Sequence, residues 1–142
     1  MELTSRVLWV FAFIALVTGV VAEGEQVNDA CKSKQSNVEI RECCAHENVR
    51  LDQEIDVAVR KITAGFRDDA REYSKIIGDC LRRAASEVTQ SQRSWQTYRE
   101  HHCQAIAESL TTGSGSGTAY ELCRFRLGLE RLRNLKSDFL EE

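Results

Sequence analysis

From Tyr73 to Leu110, side chains able to pack return at steps of three and four: Tyr73, Ile77, Cys80, Ala84, Val88, Ser91, Trp95, Tyr98, His102, Ile106 and Leu110. Steps of this size put every member on one face of an α-helix, whereas a half-buried strand needs a step of two. Proline, which removes a backbone donor and breaks helices, is absent from the whole chain of 142 residues. The stripe therefore predicts a helix of about 40 residues, nearly 60 Å long at 1.5 Å per residue. On it, Trp95 and Tyr98 read as core side chains.

Two other blocks have the same period. Leu51, Ile55, Ala58, Val59, Ile62 and Phe66 define a helix predicted to start near Val38 and to stop at Gly65, a residue suited to the left-handed position just past a helix end. Asp69 with Glu72 has the spacing of a capping box and would start the long helix. After TTGSGSG at 111–117, a breaker by composition, Thr118 with Glu121 gives a second capping box. Leu122, Phe125, Leu129, Leu132, Leu135 and Phe139 then line a third helix. The predicted fold is all-α: a small, disulfide-stapled three-helix domain with one long central helix, a helical hairpin plus a third helix.

Compartment decides what the six cysteines are. After Arg6 the chain runs uncharged from Val7 to Ala22, short of the roughly 20 residues that span a bilayer comfortably, and ends on small residues at Val20-Val21-Ala22. That pattern reads as a secretory signal peptide over 1–22, cut after Ala22, with an uncleaved membrane anchor as the alternative. An N-terminal segment over 23–37 and a single helical domain over 38–142 follow, with no stable membrane insertion expected after cleavage, and a secreted or periplasmic location. An even cysteine count in a short exported chain implies a disulfide framework. Cys103 and Cys123 flank the 111–117 loop and close a 20-residue span; Cys31 and Cys43 would pin the N-terminal segment to the first helix. Cys44 and Cys80 remain, and come level if the two helices fold back about Gly65. A swap to Cys31–Cys44 is open, since fifteen connectivities exist for six cysteines.

The reactive-looking stretch SQRSWQTYREHHC at 91–103 does not assemble a site on a helix. His101, His102 and Cys103 are consecutive, so their side chains splay about 100° apart and cannot converge on one ion. His46 is the one other histidine, and it lies on a different predicted helix. Neighbours in a helix do not face each other, so a Cys–His nucleophile is not expected either. Arg99, four residues after Trp95, is placed to lie across the indole. No C-x-x-C, phosphate loop or paired-carboxylate motif occurs, and no cofactor, metal or catalytic residue is assigned. A net charge of −3 does not suggest nucleic acid.

The arrangement Q-R-x-W-x-x-Y-R-x-x-x-C at 92–103, a Gly/Ser loop, and Cys123 opening the Arg-rich CRFRLGLERLRNL resemble the lysozyme inhibitor LprI family. Its earlier order of cysteine, spacer, cysteine and, nine residues on, an Asp opening an amphipathic helix fits Cys31, Cys43 and Asp52. The resemblance covers roughly Cys31 to Leu135, and its motif residues here are Asp52, Gln92, Trp95, Tyr98 and Arg99. Two departures stand out: Ile55-Asp56 replace a Leu-Asn pair, and Cys44 and Cys80 have no counterpart. The resemblance implies a non-enzymatic exported protein whose partner is a protein, a lysozyme, and which shields peptidoglycan.

Two partner surfaces suggest themselves. One is the loop, at Gly113, Ser114, Gly115 and Ser116, unless it is a plain connector. The other is an acidic patch of Asp52, Glu54 and Asp56, suited to a cationic enzyme unless it is an ordinary solvated face. Arg124, Arg126, Arg131 and Arg133 of the last helix would repel such a partner and suit anionic envelope polymer. The alternative function is a helical envelope protein with a structural or assembly role.

Overall fold

The computed structural model describes Cys31, residues 33–110, Gly113 and residues 115–140. The apolar run at 7–22 and Ser114 lie outside the described residues. Three helices account for the architecture: α1 (Asn37–Glu72), α2 (Lys75–Ser109) and α3 (Ser116–Phe139). No strand occurs among the described residues. The chain is a disulfide-stapled all-α domain of three helices.

A capping box begins α1: the Ser36 hydroxyl accepts from the Glu39 N–H at 3.2 Å, and the Glu39 carboxylate accepts from the Ser36 N–H at 3.1 Å. These bonds favour the ionised carboxylate and hold the Glu39 pKa below its ordinary value. α1 does not stop at Gly65. It runs seven residues further, to Glu72, because Ile62, Phe66 and Ala70 keep its inner face packed, and one interior glycine costs only about 1 kcal/mol. The turn comes at Tyr73–Ser74, where Tyr73 is extended and its N–H bonds to Asp69 O. Asp69 and Glu72 therefore close α1 and do not open α2. Thr118 and Glu121 are likewise not a cap: α3 opens at Gly115 with no side-chain cap bond, and both residues bond to α1 instead.

Inter-helix bonds fix the topology. Asp52 meets Arg99, and Arg82 reaches Ala70 O, so α1 and α2 are antiparallel. Thr118 meets Asn37, Glu121 meets Asn48, and Phe66 packs edge-on to Phe139, so α3 runs parallel to α1. Leu51, Ile55, Ala58, Ile62, Val88, Phe125, Leu132 and Leu135 form the core, with Val59, Phe66, Trp95 and Leu129 packed around it. Burying side chains of this size stabilises by about 1.5–3 kcal/mol each. At the hairpin end a Cβ on Gly78 would lie 2.6 Å from Ala70 O, so only glycine permits that approach of the two backbones.

The buried face of α2 differs from the predicted stripe. It runs Gly78, Leu81, Ala85, Val88, Gln92, Trp95, Arg99, Cys103 and Ile106, which is 28 residues in eight steps. The predicted stripe meets this face at Val88, Trp95 and Ile106 and falls one residue before it, a rotation of about 100°, at Ile77, Cys80, Ala84, Ser91, Tyr98 and His102. In consequence Tyr98 is not a core residue: it is 52% exposed, as are its stripe-mates Tyr73 (58%) and Ile77 (48%) in comparable degree.

Disulfides join Cys31 to Cys43 and Cys103 to Cys123, with Cα atoms 5.8 and 5.5 Å apart. The Cys44–Cys80 bridge is not formed. Cys44 is buried and free, and Cys80 is exposed and free. With the turn at Tyr73–Ser74 and not Gly65, the residue of α2 level with Cys44 is near position 103, some 23 residues from Cys80.

Candidate functional site

The residues of the 92–103 motif divide by helix face. Gln92, Trp95, Arg99 and Cys103, spaced three, four and four, turn inward, while Tyr98 and His102 stack on the outside with ring centroids 5.2 Å apart. His101 is exposed and Cys103 is spent in its disulfide, so the three neighbours have separate fates. Among the described residues no group of three or more His, Cys, Asp or Glu is placed to hold a metal ion.

Inward, the motif builds a polar seam through all three helices. Arg99, buried on α2, donates to Asp52 Oδ1 of α1 at 2.6 Å, and Arg124 of α3 approaches Asp52 Oδ2 at 3.4 Å. One carboxylate thus faces two guanidinium groups from two different helices. The Arg99 guanidinium lies 4.6 Å from the Trp95 ring centroid, where the ring's negative face supplies part of the solvation it has lost. Arg131 of α3 stands 5.9 Å from the same ring, donates from Nε to Gln92 Oε1 at 3.0 Å, and reaches the Ser91 hydroxyl at 3.0 Å. Burial pushes the Arg131 pKa below its ordinary value.

A second knot sits one turn toward the start of α1. Asn48 Nδ2 donates to the Glu121 backbone at 3.0 Å and to its carboxylate at 2.7 Å, and Arg124 lies 3.7 Å from that carboxylate. Tyr120, beneath Arg124, donates to Glu100 of α2; burial and this bond raise the phenol pKa. Asn48 Oδ1, Gln92 Nε2 and Arg124 Nε are buried without a partner among the described residues. No seam residue lines either of the two hollows described below. The seam's chemistry is recognition of one helix by another.

The expected acidic patch does not exist as a patch. Asp52 is committed to the seam, Glu54 is paired with Arg50 on another side of α1, and Asp56 is left exposed alone. Asp52 and Glu54 are two residues apart, which on a helix is a rotation of about 200°. Nor do the four arginines form one cationic face: Arg124 and Arg131 turn inward, and Arg126 and Arg133 face solvent. The feature missed in the sequence is a hollow of about 300 Å³ at the start of α1, lined by Lys34, Glu39, Glu42, Cys43, His46 and Glu47. Glu47 is paired with Arg50 at 2.8 Å, so Glu39 and Glu42 against Lys34 leave the hollow one net negative charge, and its signal was the i, i+3 spacing of Glu39 and Glu42.

The loop ends at the same end of the bundle as this hollow, on the opposite side of α1. Gly113 has φ of +151°, which a side chain would strain. Gly115 and Ser116 are half-buried at the start of α3, and a Cβ on Gly117 would lie 3.0 Å from Arg41 Cδ. Thr118 then donates to Asn37 O at 2.8 Å, so Gly115, Ser116 and the acidic hollow share one end of the bundle.

Comparison with curated proteins and with solved structures returns no significant match. The model of the family described as lysozyme inhibitor LprI matches residues 28–135, a span that holds both disulfides, the polar seam and all three helices to Leu135. By that match over most of its length, this chain belongs to the lysozyme inhibitor LprI family.

Proposed function

We propose that the chain is exported, loses residues 1–22, and binds a lysozyme so as to block its cleft, without catalysing a reaction itself. The family match over residues 28–135 carries this reading. Two disulfides in a chain of this size suit an oxidising compartment, and no described helix is long and apolar enough to cross a membrane. The contact surface is the end of the bundle that Gly113, Gly115 and Ser116 share with the hollow of Glu39, Glu42 and Glu47. An acidic rim there speeds encounter with a cationic enzyme, and the glycine-bearing segment between Cys103 and Cys123 is the element offered to a cleft between two catalytic carboxylates. Asp52, Gln92, Trp95 and Arg99 set the helix positions from inside, and Tyr98 is free for contact.

The test is a lysis assay with the exported protein in molar excess over lysozymes of several classes. Slowed lysis by at least one class is expected, with Glu42→Lys weakening it more at low salt than at high salt. Lysis unchanged in every class would sink the inhibitor reading. Tyr73, Ile76 and Ile77, exposed together at the α1–α2 turn, favour a second reading, an assembly role in the envelope. Retention of other envelope proteins in a pull-down, lost in Ile76→Ser, separates the two.

A further inference from the structure

A groove of about 410 Å³ lies between α1 and α3, away from the seam and joined to the acidic hollow only through Arg50, which lines the groove and bonds Glu47. Val57, Ala58, Leu132 and Leu140 give it an apolar floor, and Val57 is 56% exposed. Its charges are sorted by end. Because α1 and α3 are parallel, Lys61, one turn after Val57, and Lys136, one turn after Leu132, come to the same end, and both line the groove. Neither makes an ion pair among the described residues. At the other end Glu54 shares Arg50 with Glu47, and it sits seven residues before Lys61, roughly 10 Å along the axis.

We propose that this groove binds a single-chain anionic amphiphile, its carboxylate between the Lys61 and Lys136 ammonium groups and its acyl chain along Val57, Ala58 and Leu132. Volume and lining fall in the range of small-molecule sites, which are mostly apolar with a few convergent polar groups. The C-terminal end of α3 opposes an anion there with about half a negative charge, less than the two whole positive charges that face it. A neutral chain would leave both ammonium groups unused, and a cationic one would be repelled by them. The site is independent of lysozyme binding.

Calorimetric titration of the exported protein with dodecanoate, below its micelle concentration, tests this. One saturable site is expected, with affinity falling about tenfold in the Lys61→Gln, Lys136→Gln double variant, since a charged hydrogen bond of this kind is about a decade in binding. Dodecanol and dodecyltrimethylammonium should bind at least as weakly as that variant binds dodecanoate. Val57→Glu, at an exposed position that leaves the core intact, should remove binding. No saturable site, equal affinity for the neutral or cationic probe, or unchanged affinity in the double variant or in Val57→Glu would each overturn the proposal.

Discussion

Asp52 and Arg99 differ in how far water can reach them: the Asp52 side chain is 36% exposed and that of Arg99 is 7%. Removing the acid strands a buried cation, whereas removing the cation strands a carboxylate that water and Arg124 can still serve. Asp52→Ala should therefore destabilise by about 3 kcal/mol, and Arg99→Met, which keeps the packing against Trp95, by about half as much. Denaturant melts of the two variants decide this; equal losses, or a larger loss for Arg99→Met, would show that the pair is not limited by desolvation. Thiols at Cys44 and Cys80 divide in the same way. Burial, with Glu121 and Glu47 nearby, raises the Cys44 pKa and keeps its thiol protonated, while Cys80 is exposed with the Arg83 guanidinium 3.2 Å from its sulfur. A maleimide should modify Cys80 alone in the native protein and both only after unfolding. Failure to label either would restore a Cys44–Cys80 bridge.

Two helix glycines invite opposite outcomes at the scale of the element. A Cβ on Gly65, inside α1, meets nothing within 4 Å, so Gly65→Ala should stabilise by about 1 kcal/mol through backbone entropy and helix propensity. On Gly128 a Cβ would lie 2.6 Å from Leu51 Cδ2 and 3.4 Å from the Arg99 guanidinium. Leu51 is 1% exposed and has nowhere to go, so crowding of about 1–3 kcal/mol outweighs the same propensity gain and Gly128→Ala should destabilise. Thermal melts check both signs together. A glycine at 128 thus leaves room for Leu51 of α1 and for the Arg99 guanidinium that pairs with Asp52.

Across the whole molecule, Cys103–Cys123 ties the end of α2 to the first turns of α3 over a span of 20 residues. Its removal in Cys103→Ala, Cys123→Ala frees the unfolded chain and opens two buried positions, at a cost of about 3 kcal/mol by loop-closure reasoning. Urea midpoints should fall accordingly. A loss under 1 kcal/mol would mean that the α2–α3 contacts through Gln92, Arg131, Glu100 and Tyr120 hold the helices without the bridge. This fastening also sets the proposed function, because the loop and the acidic hollow share one end only while α3 stays in register with α1.

What the sequence determined alone is local and periodic: helices from steps of three and four and a break between the second and third of them, with Cys103–Cys123 across it, while the choice of Cys43 over Cys44 as the partner of Cys31 waited for the structure. Arg99 over Trp95 was equally legible, since i and i+4 are neighbours on any helix. Tertiary structure decided the rest. Gly65 signals a helix end only if nothing packs beyond it, and Phe66 and Ala70 do. Cys44 and Cys80 come level only about a turn at Gly65, so moving the turn by eight residues dissolved the bridge. The phase of α2 was the most consequential. The apolar stripe and the true seam share Val88, Trp95 and Ile106 and lie one residue, about 100°, apart elsewhere, and the seam was filled by Gln92 and Arg99, side chains that read as surface. Partners on other helices meet them there, Arg131 at the Gln92 Oε1 and Asp52 at Arg99, and no property of one segment reports which residues of another will face it.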